Sequence, residues 1–419
     1  MPTRTSLSQR ARAMPASPIR RLAPLVAAAR RAGKTIYALN IGQPDIETPE
    51  PMRRRIASLH EKVYAYTPSG GTAEYLAALR EYYRRLGFTL GPDEVLGTTG
   101  GSEALFFALS AVGDHGDEVI VVEPYYTNYS AFATMAGLRL VPLTSRGEDG
   151  FHLPPRAAWE KAVTPRTRAV ILCNPSNPTG TVYTQEEVDR VAAFCRDHGL
   201  FLISDEVYRE FAYDGRAAVS ALSLKAADDM VIVVDSLSKR YSACGIRLGC
   251  LVTRNRDVYG AALRMAQARL SPPGLAQVAA CALTELGPDY TRGIVTEFQA
   301  RRDMLYEAVS AVPGVFLRKP EGAFYFVARL PVQDAEDFAR WMLTDFQHEG
   351  ATVMFAPARG FYATPGLGGN EARLAYVLQR SDLAIAVRAL EAGLVAYRQA
   401  RGLAGLEAAA PDFHVPVDG

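Results

Sequence analysis

Four times in this chain a short run of apolar, largely β-branched residues leads directly into a polar or aromatic cluster, and that repetition narrows the folds open to it. Val119 to Val122 leads to Pro124-Tyr125-Tyr126, and Ala169 to Leu172 leads to Asn174-Pro175-Ser176-Asn177-Pro178-Thr179-Gly180. Leu200 to Ile203 leads to Asp205-Glu206-Val207-Tyr208, and Val231 to Val234 leads to Ser236-Leu237-Ser238-Lys239. Short continuous apolar runs read as parallel strands buried on both faces, with helical stretches such as Gln185 to His198 between them. In such sheets ligands sit at the carboxyl ends of the strands, so the four clusters are expected to converge on one crevice. The expected fold class is α/β, a mainly parallel central sheet with helices on both faces.

The last cluster points to a chemistry. Lys239 beside Ser236 and Ser238, with Arg247 following in Gly245-Ile246-Arg247-Leu248-Gly249, suits an aldehyde cofactor that carries a phosphate. The amine can form a Schiff base, while the hydroxyls and the forked guanidinium suit phosphate oxygens. Taken alone, the stretch equally describes a Lys-Arg pair closing a strand at the surface. Gly100-Gly101-Ser102 opens a helical run through Ala104, Leu105 and Ala108, and unpaired amides at a helix N-terminus favour an anion. A glycine pair before a helix is otherwise an ordinary loop; joined to Ser236, Ser238 and Arg247 it reads as a phosphate cradle. Arg373 stands in the apolar run Ala372 to Val377, where a buried guanidinium needs an acceptor. An edge-strand arginine facing solvent is the competing reading.

Composition excludes more than it selects. With 419 residues, 48% of them hydrophobic, the chain can bury one large α/β domain and a smaller one. Its 46 Lys plus Arg balance 45 Asp plus Glu, so bulk charge gives no argument for nucleic acid or a membrane surface, and no stretch has transmembrane length. A small-molecule partner is expected. The five cysteines are odd in number and lack a C-x-x-C pair, and the six histidines lack metal-ligand spacing. A reducing, cytoplasmic setting and no metal are the expectations.

The segment before Asp45 is rich in Arg, Ser and Ala, as a transit peptide would be. From Pro18, however, Ile19, Leu22, Leu25, Val26 and Ala29 follow helical spacing, so a structural helix is expected over Ser17 to Arg31. Residues 1–16 are then a disordered arm and 400–419 a loose tail. Between them, residues 41–293 are expected to form the large domain. Residues 17–40 and 294–399 form a split small α+β domain, with strands over Gly322 to Val327 and Ala372 to Val377 and a helix over Ala335 to His348.

The order of these clusters resembles that of the fold-type-I, class I pyridoxal-phosphate aminotransferases of the aspartate aminotransferase kind. The resemblance runs from about Ser17 to about Tyr397 and includes Gly42-Gln43-Pro44-Asp45, Tyr66-Thr67-Pro68-Ser69-Gly70 and Gly100-Gly101-Ser102-Glu103-Ala104-Leu105. It continues through Asn174 to Gly180, Asp205 to Tyr208, Ser236 to Lys239, Gly245 to Gly249 and Arg373. It implies pyridoxal 5′-phosphate on Lys239, which also serves as the proton-moving base. Asp205 would pair with the pyridine nitrogen, and Asn177 and Tyr208 would donate to the phenolate oxygen. Taken alone, Asn177 is also an ordinary Asn-Pro turn, and Tyr126, matching the aromatic that stacks on the ring, is also a core tyrosine. Gly100, Gly101, Ser102, Ser236, Ser238 and Arg247 would hold the phosphate. Tyr66 would reach the phosphate of a second subunit, making a homodimer with shared active sites. Arg373 would grip the α-carboxylate of the amino-acid or 2-oxo-acid substrate, with the backbone near Gly42 closing over it.

The resemblance thins at the distal end of the substrate. Some relatives carry a lysine at the position of Ser102 for a second carboxylate, and this chain has no cation there. Arg269, Arg20 and Arg21 are the possible substitutes, each also readable as a solvated or structural charge. Aspartate with 2-oxoglutarate is the first substrate pair to expect. A lyase, oxidase or decarboxylase on the same fold is the alternative, and a non-catalytic cofactor-binding sensor is a further one.

Overall fold

The protein is described from a computed structural model over residues 6–403. Its largest sheet runs, in spatial order, Val95–Thr98, Gly249–Thr253, Val231–Ser236, Phe201–Asp205, Thr167–Cys173, Glu118–Glu123 and Arg139–Thr144. Gly249–Thr253 is antiparallel to both neighbours, and every other neighbouring pair is parallel. The four apolar runs are therefore four adjacent strands. Successive side chains point to opposite faces: Val170, Leu172, Leu202, Val231 and Val233 enter one hydrophobic core, while Ala169, Ile171, Ile203, Ile232 and Val234 enter another. Two covered faces explain why these strands show no polar alternation.

A further core surrounds two small sheets. Thr35–Ala38 pairs in parallel with Ala351–Met354. An antiparallel sheet has the order Ala356–Pro357, Glu371–Ala375, Tyr325–Arg329 and Phe316–Leu317. The helices Pro288–Ser310, Ala335–Thr344 and Arg380–Ala400 pack on them through Phe298, Leu305, Phe338, Met342, Leu383 and Leu390.

Local chemistry sets several element ends. The helix Gln185–His198 opens on a reciprocal cap, in which the Thr184 hydroxyl accepts from Glu187 N and the Glu187 carboxylate accepts from Thr184 N. It stops at Gly199, whose φ of 65° suits glycine. The N-terminal expectation needs correction: the helix is Ala23–Arg31, and Ser17 to Leu22 form turns. Pro24 is the reason, because inside a helix begun at Ser17 it would lack a donor and clash with the preceding turn. The arm expected to be disordered contains an exposed helix, Gln9–Ala13, capped by Ser8. The break expected after Gly293 falls within the continuous helix Pro288–Ser310, where Tyr290 packs against both neighbouring cores. Of the expected tail, residues 404–419 lie outside the described residues. Among the described residues no helix is long and apolar enough to cross a membrane.

Candidate active site

Register brings the sequence clusters to one edge of the large sheet. Cys173 lies opposite Asp205, Asp205 opposite Val234, Ser236 opposite Gly249, and Gly249 opposite Thr98. The helix Gly100–Val112 starts two residues beyond Thr98. Asp205, Ser236 and the glycine pair thus share one rim.

Asp205 is buried, and burial pushes its carboxyl up to about 6 against the hydrogen bonds that lower it. The Tyr129 hydroxyl donates to its Oδ2 at 2.6 Å and the Val207 amide to its Oδ1 at 3.3 Å. A cation beside this carboxyl would restore the charge that burial penalises. Tyr126 stands edge-on to Tyr129 at 5.6 Å, and burial pushes its phenol up to about 12. The Tyr208 and Tyr325 hydroxyls meet at 2.9 Å, and burial keeps Tyr208 neutral well past ordinary tyrosine.

The anion cradle is built from close approach. A Cβ on Gly100 would lie 2.5 Å from Arg247 Nη2, and one on Gly249 would lie 2.8 Å from the Gly101 amide nitrogen. Glycine therefore lets the guanidinium rest on the helix N-terminus. Arg247 has φ of 55°, a backbone region that side chains seldom occupy and that clusters at functional positions. Ser236 Oγ donates to Ser238 Oγ at 2.8 Å, and Ser102, the third residue of the helix, is half-buried. Hydroxyls, a guanidinium and free amides together fit a phosphate dianion.

The amine and the second guanidinium meet one short stretch of backbone. Lys239 Nζ donates to Gly42 O at 2.6 Å and lies 3.9 Å from Cys244 Sγ. Gly42 has no room for a side chain, because a Cβ there would overlap the Tyr325 hydroxyl. Arg373 is only 2% exposed, which rules out the solvent-facing reading. Its Nη2 donates to Asn40 O at 2.6 Å and its Nη1 to Asn177 Oδ1 at 3.0 Å, while its Nε is buried without a partner. The guanidinium lies 4.3 Å from the Tyr325 ring centroid and 5.0 Å from that of Phe361. An unpartnered buried donor on a planar fork is what a carboxylate would satisfy.

Tyr66 is not brought to this rim; it is 80% exposed. Arg269 is held within its own chain, with Nη2 donating to Ser69 O and Gly97 O and Nε 3.2 Å from Glu103 in poor alignment for a hydrogen bond. Arg21 pairs with Glu336. Tyr129, Tyr325, Asn40 and Phe361 were missed in the sequence. Tyr129 had a signal, since it lies in the first turn of the helix that follows Tyr126. Tyr325 and Phe361 had none, being aromatic residues among many apolar neighbours.

Comparison with known proteins agrees with this geometry. Residues 34–390 match the family model described as aminotransferase class I and II. An aspartate aminotransferase of Geobacillus stearothermophilus is 31% identical over 373 residues, covering 85% of this chain and 91% of the relative. An aspartate/prephenate aminotransferase of Thermus thermophilus is 34% identical over 304 residues, covering 71% and 77%. The solved Thermus thermophilus aspartate aminotransferase with maleate superposes with a TM-score of 0.83 at 30% identity, covering 93% of this chain and all of that one. An alanine aminotransferase of Pyrococcus furiosus gives a TM-score of 0.84 at 29% identity, covering 93% and 99%. With the family model spanning most of the chain and both small sheets as well as the large one, this protein belongs to the class I and II aminotransferases and has their fold-type-I architecture.

Proposed function

We propose that this aminotransferase moves an α-amino group between an L-amino acid and a 2-oxo acid in ping-pong fashion, with Lys239 as the amine that carries the reacting proton. One observation supports this most: Lys239 Nζ and Arg373 Nη2 are held by carbonyls only two residues apart, those of Gly42 and Asn40. A substrate carboxylate on Arg373 therefore has its α-carbon close to the lysine amine. Family membership implies pyridoxal phosphate, which when bound supplies an aldehyde and an electron-withdrawing ring that stabilise negative charge at the α-carbon.

The residues divide that work. Ser236, Ser238, Arg247, Ser102 and the amides of Gly100 and Gly101 hold the phosphate. Asp205, kept in line by Tyr129, holds a proton on the ring nitrogen. Asn177 and Tyr208 donate to the ring oxygen, and Tyr126 offers a flat face to the ring. Lys239 would take the proton from the substrate α-carbon as general base and give a proton back as general acid. Arg373 fixes the carboxylate common to both substrates, which lysine could not grip bidentately.

Residues 17–40 and the chain from the helix Pro288–Ser310 to residue 399 act as the small domain, which carries Arg373, against the large domain, which carries Lys239. Exposed Ile41, Val63, Tyr64, Tyr66, Leu270 and Leu275 support a homodimer in which Tyr66 serves the second subunit's site. Aspartate with 2-oxoglutarate is the first pair to test, on the strength of the relatives' names. The bonds of Arg269 within its own chain weigh against it as the distal-carboxylate cation.

The test is a visible-absorbance titration of the cofactor-loaded protein with L-aspartate and no oxo acid. Conversion of the bound cofactor to its amine form, reversed by 2-oxoglutarate, is expected. No change with aspartate but full conversion by another amino acid would retain the transamination and remove the dicarboxylate assignment.

A further inference from the structure

Behind the rim lies a buried charge network that the proposed chemistry does not use. Alternation along Val231–Ser236 sends Ser236 to the rim and Asp235 into the layer beneath, where it is fully buried. Asp235 Oδ1 accepts the Ser236 amide at 2.7 Å. Its Oδ2 pairs with Arg240, the residue directly after Lys239, and accepts the Tyr83 hydroxyl at 3.1 Å. One carboxylate therefore ties together the two ends of the turn that carries Lys239.

The network continues to the neighbouring loop. Arg240 Nη1 bonds Glu210 Oε2 at 2.9 Å, and Arg209 lies 3.6 Å from Asp235 and bonds Glu206 through Nε at 2.8 Å. Glu206 also accepts from Ser204, Ser220 and the Ala221 amide. In sequence Glu206 follows Asp205, and Arg209 follows Tyr208. Burial pushes the Asp235 carboxyl up, but Arg240 and Arg209 outweigh it and leave it below the usual carboxylate range. Well-packed apolar side chains would serve stability as well as a buried ion pair does, whereas the pair adds direction.

We propose that Asp235 and Arg240 are positioning residues for Lys239: their buried pair, braced by Glu210 and Arg209, fixes the turn so that the amine faces the Asn40–Gly42 backbone. The inference rests on Lys239 being the reacting amine. Asp235 touches the rim at the Ser236 amide, and Arg240 meets Asp235 and Glu210 beneath it, so their effect on the amine passes through the turn.

The experiment uses Asp235→Asn, the double variant Asp235→Asn/Arg240→Met, and Arg240→Lys, which keeps the charge but loses the fork. Each full-length protein is assayed for kcat and KM with L-aspartate and 2-oxoglutarate. In the cofactor-free form, the rate at which trinitrobenzenesulfonate labels Lys239 is followed by peptide mass spectrometry, alongside the melting temperature. The expected result is kcat lower by about 10- to 100-fold with little change in KM, and a severalfold change in Lys239 labelling. Arg240→Lys is expected to lie between wild type and Asp235→Asn; if Asp235→Asn does not fold, it carries the test. Folded variants with wild-type kcat and labelling and only a lower melting temperature would overturn the proposal. Lys239→Ala separates the two readings, because activity retained in that variant removes the role of Lys239 itself, whatever the network does.

Discussion

The proposed phosphate cradle and the proposed carboxylate clamp suit chemically similar anions but are made in different ways. The cradle is local: Ser236, Ser238 and Arg247 lie within twelve residues of one another, and Gly100 joins them across one antiparallel strand. The clamp gathers Asn40, Asn177, Tyr325, Phe361 and Arg373 from five segments of the chain. In the cradle the serine hydroxyls bond each other, and Arg247 remains exposed. In the clamp the guanidinium is buried with an orphan Nε. A cofactor that stays can be held by a pre-formed rim, whereas a substrate that leaves after each turnover is best held by a site whose last hydrogen bond only it supplies.

Four substitutions sharpen or break this contrast. Lys239, which stands between cradle and clamp, is expected to show the largest effect: Lys239→Ala should lower kcat by about a thousandfold or more, within the range of a general base, while a circular dichroism melt shows an intact fold. Asp205 tests whether the cradle side waits for a cation. Its native value of about 6 lies above the unfolded value of ~3.9, so the native state binds its proton more tightly. Relative to a variant without this carboxyl, the stability of the cofactor-free protein should therefore fall by roughly 2 kcal/mol as pH rises from about 4 to about 6. Urea melts of the wild type and Asp205→Asn at the two pH values should show that difference; the same pH dependence in both would place the titration elsewhere.

On the clamp side, Arg373→Lys should cost about 2 kcal/mol in kcat/KM, seen as a higher KM for amino and oxo substrates alike. A rise confined to one substrate would assign Arg373 to a distal group instead. The smallest effect is expected at Gly100→Ala. The added Cβ, 2.5 Å from Arg247, pushes aside a flexible and exposed side chain, and left-handed φ at Gly100 adds about 1 kcal/mol of strain. Equilibrium dialysis should show cofactor affinity lower by about tenfold or less, with KM for the amino acid unchanged. If KM moved as well, cradle and clamp would be one coupled site rather than two.

How far the sequence was legible follows the same division. The central strands and the helix Gln185–His198 were readable because their signals are local: apolar runs, a capping pair and a stop glycine. The strand expected over Gly322 to Val327 is instead Tyr325–Arg329. Gly322 and Ala323 leave the ladder to bond Gly180 O and Phe211 O, and Ala323 takes φ of 52°. The helix expected through His348 ends at Thr344, because His348 turns to exchange backbone bonds with Ala351. At Gly322 and Ala323 a contact distant in sequence competed with the local pattern and won, whereas at His348 a tight turn into the strand Ala351–Met354 did.

By itself, then, the sequence determined the mainly parallel sheet, the rim at its strand ends and the residue types that suit a phosphorylated aldehyde, since strand period, turn residues and side-chain chemistry are written in neighbouring positions. Only the tertiary structure decided that Asn40 and Gly42 hold the clamp and the amine together, that Tyr129 supports Asp205, that Arg269 is bound within its own chain, and that Asp235 and Arg240 lie beneath Lys239. Those pairings depend on which distant segments pack against each other once the cores are filled, and packing, unlike periodicity, leaves no local trace.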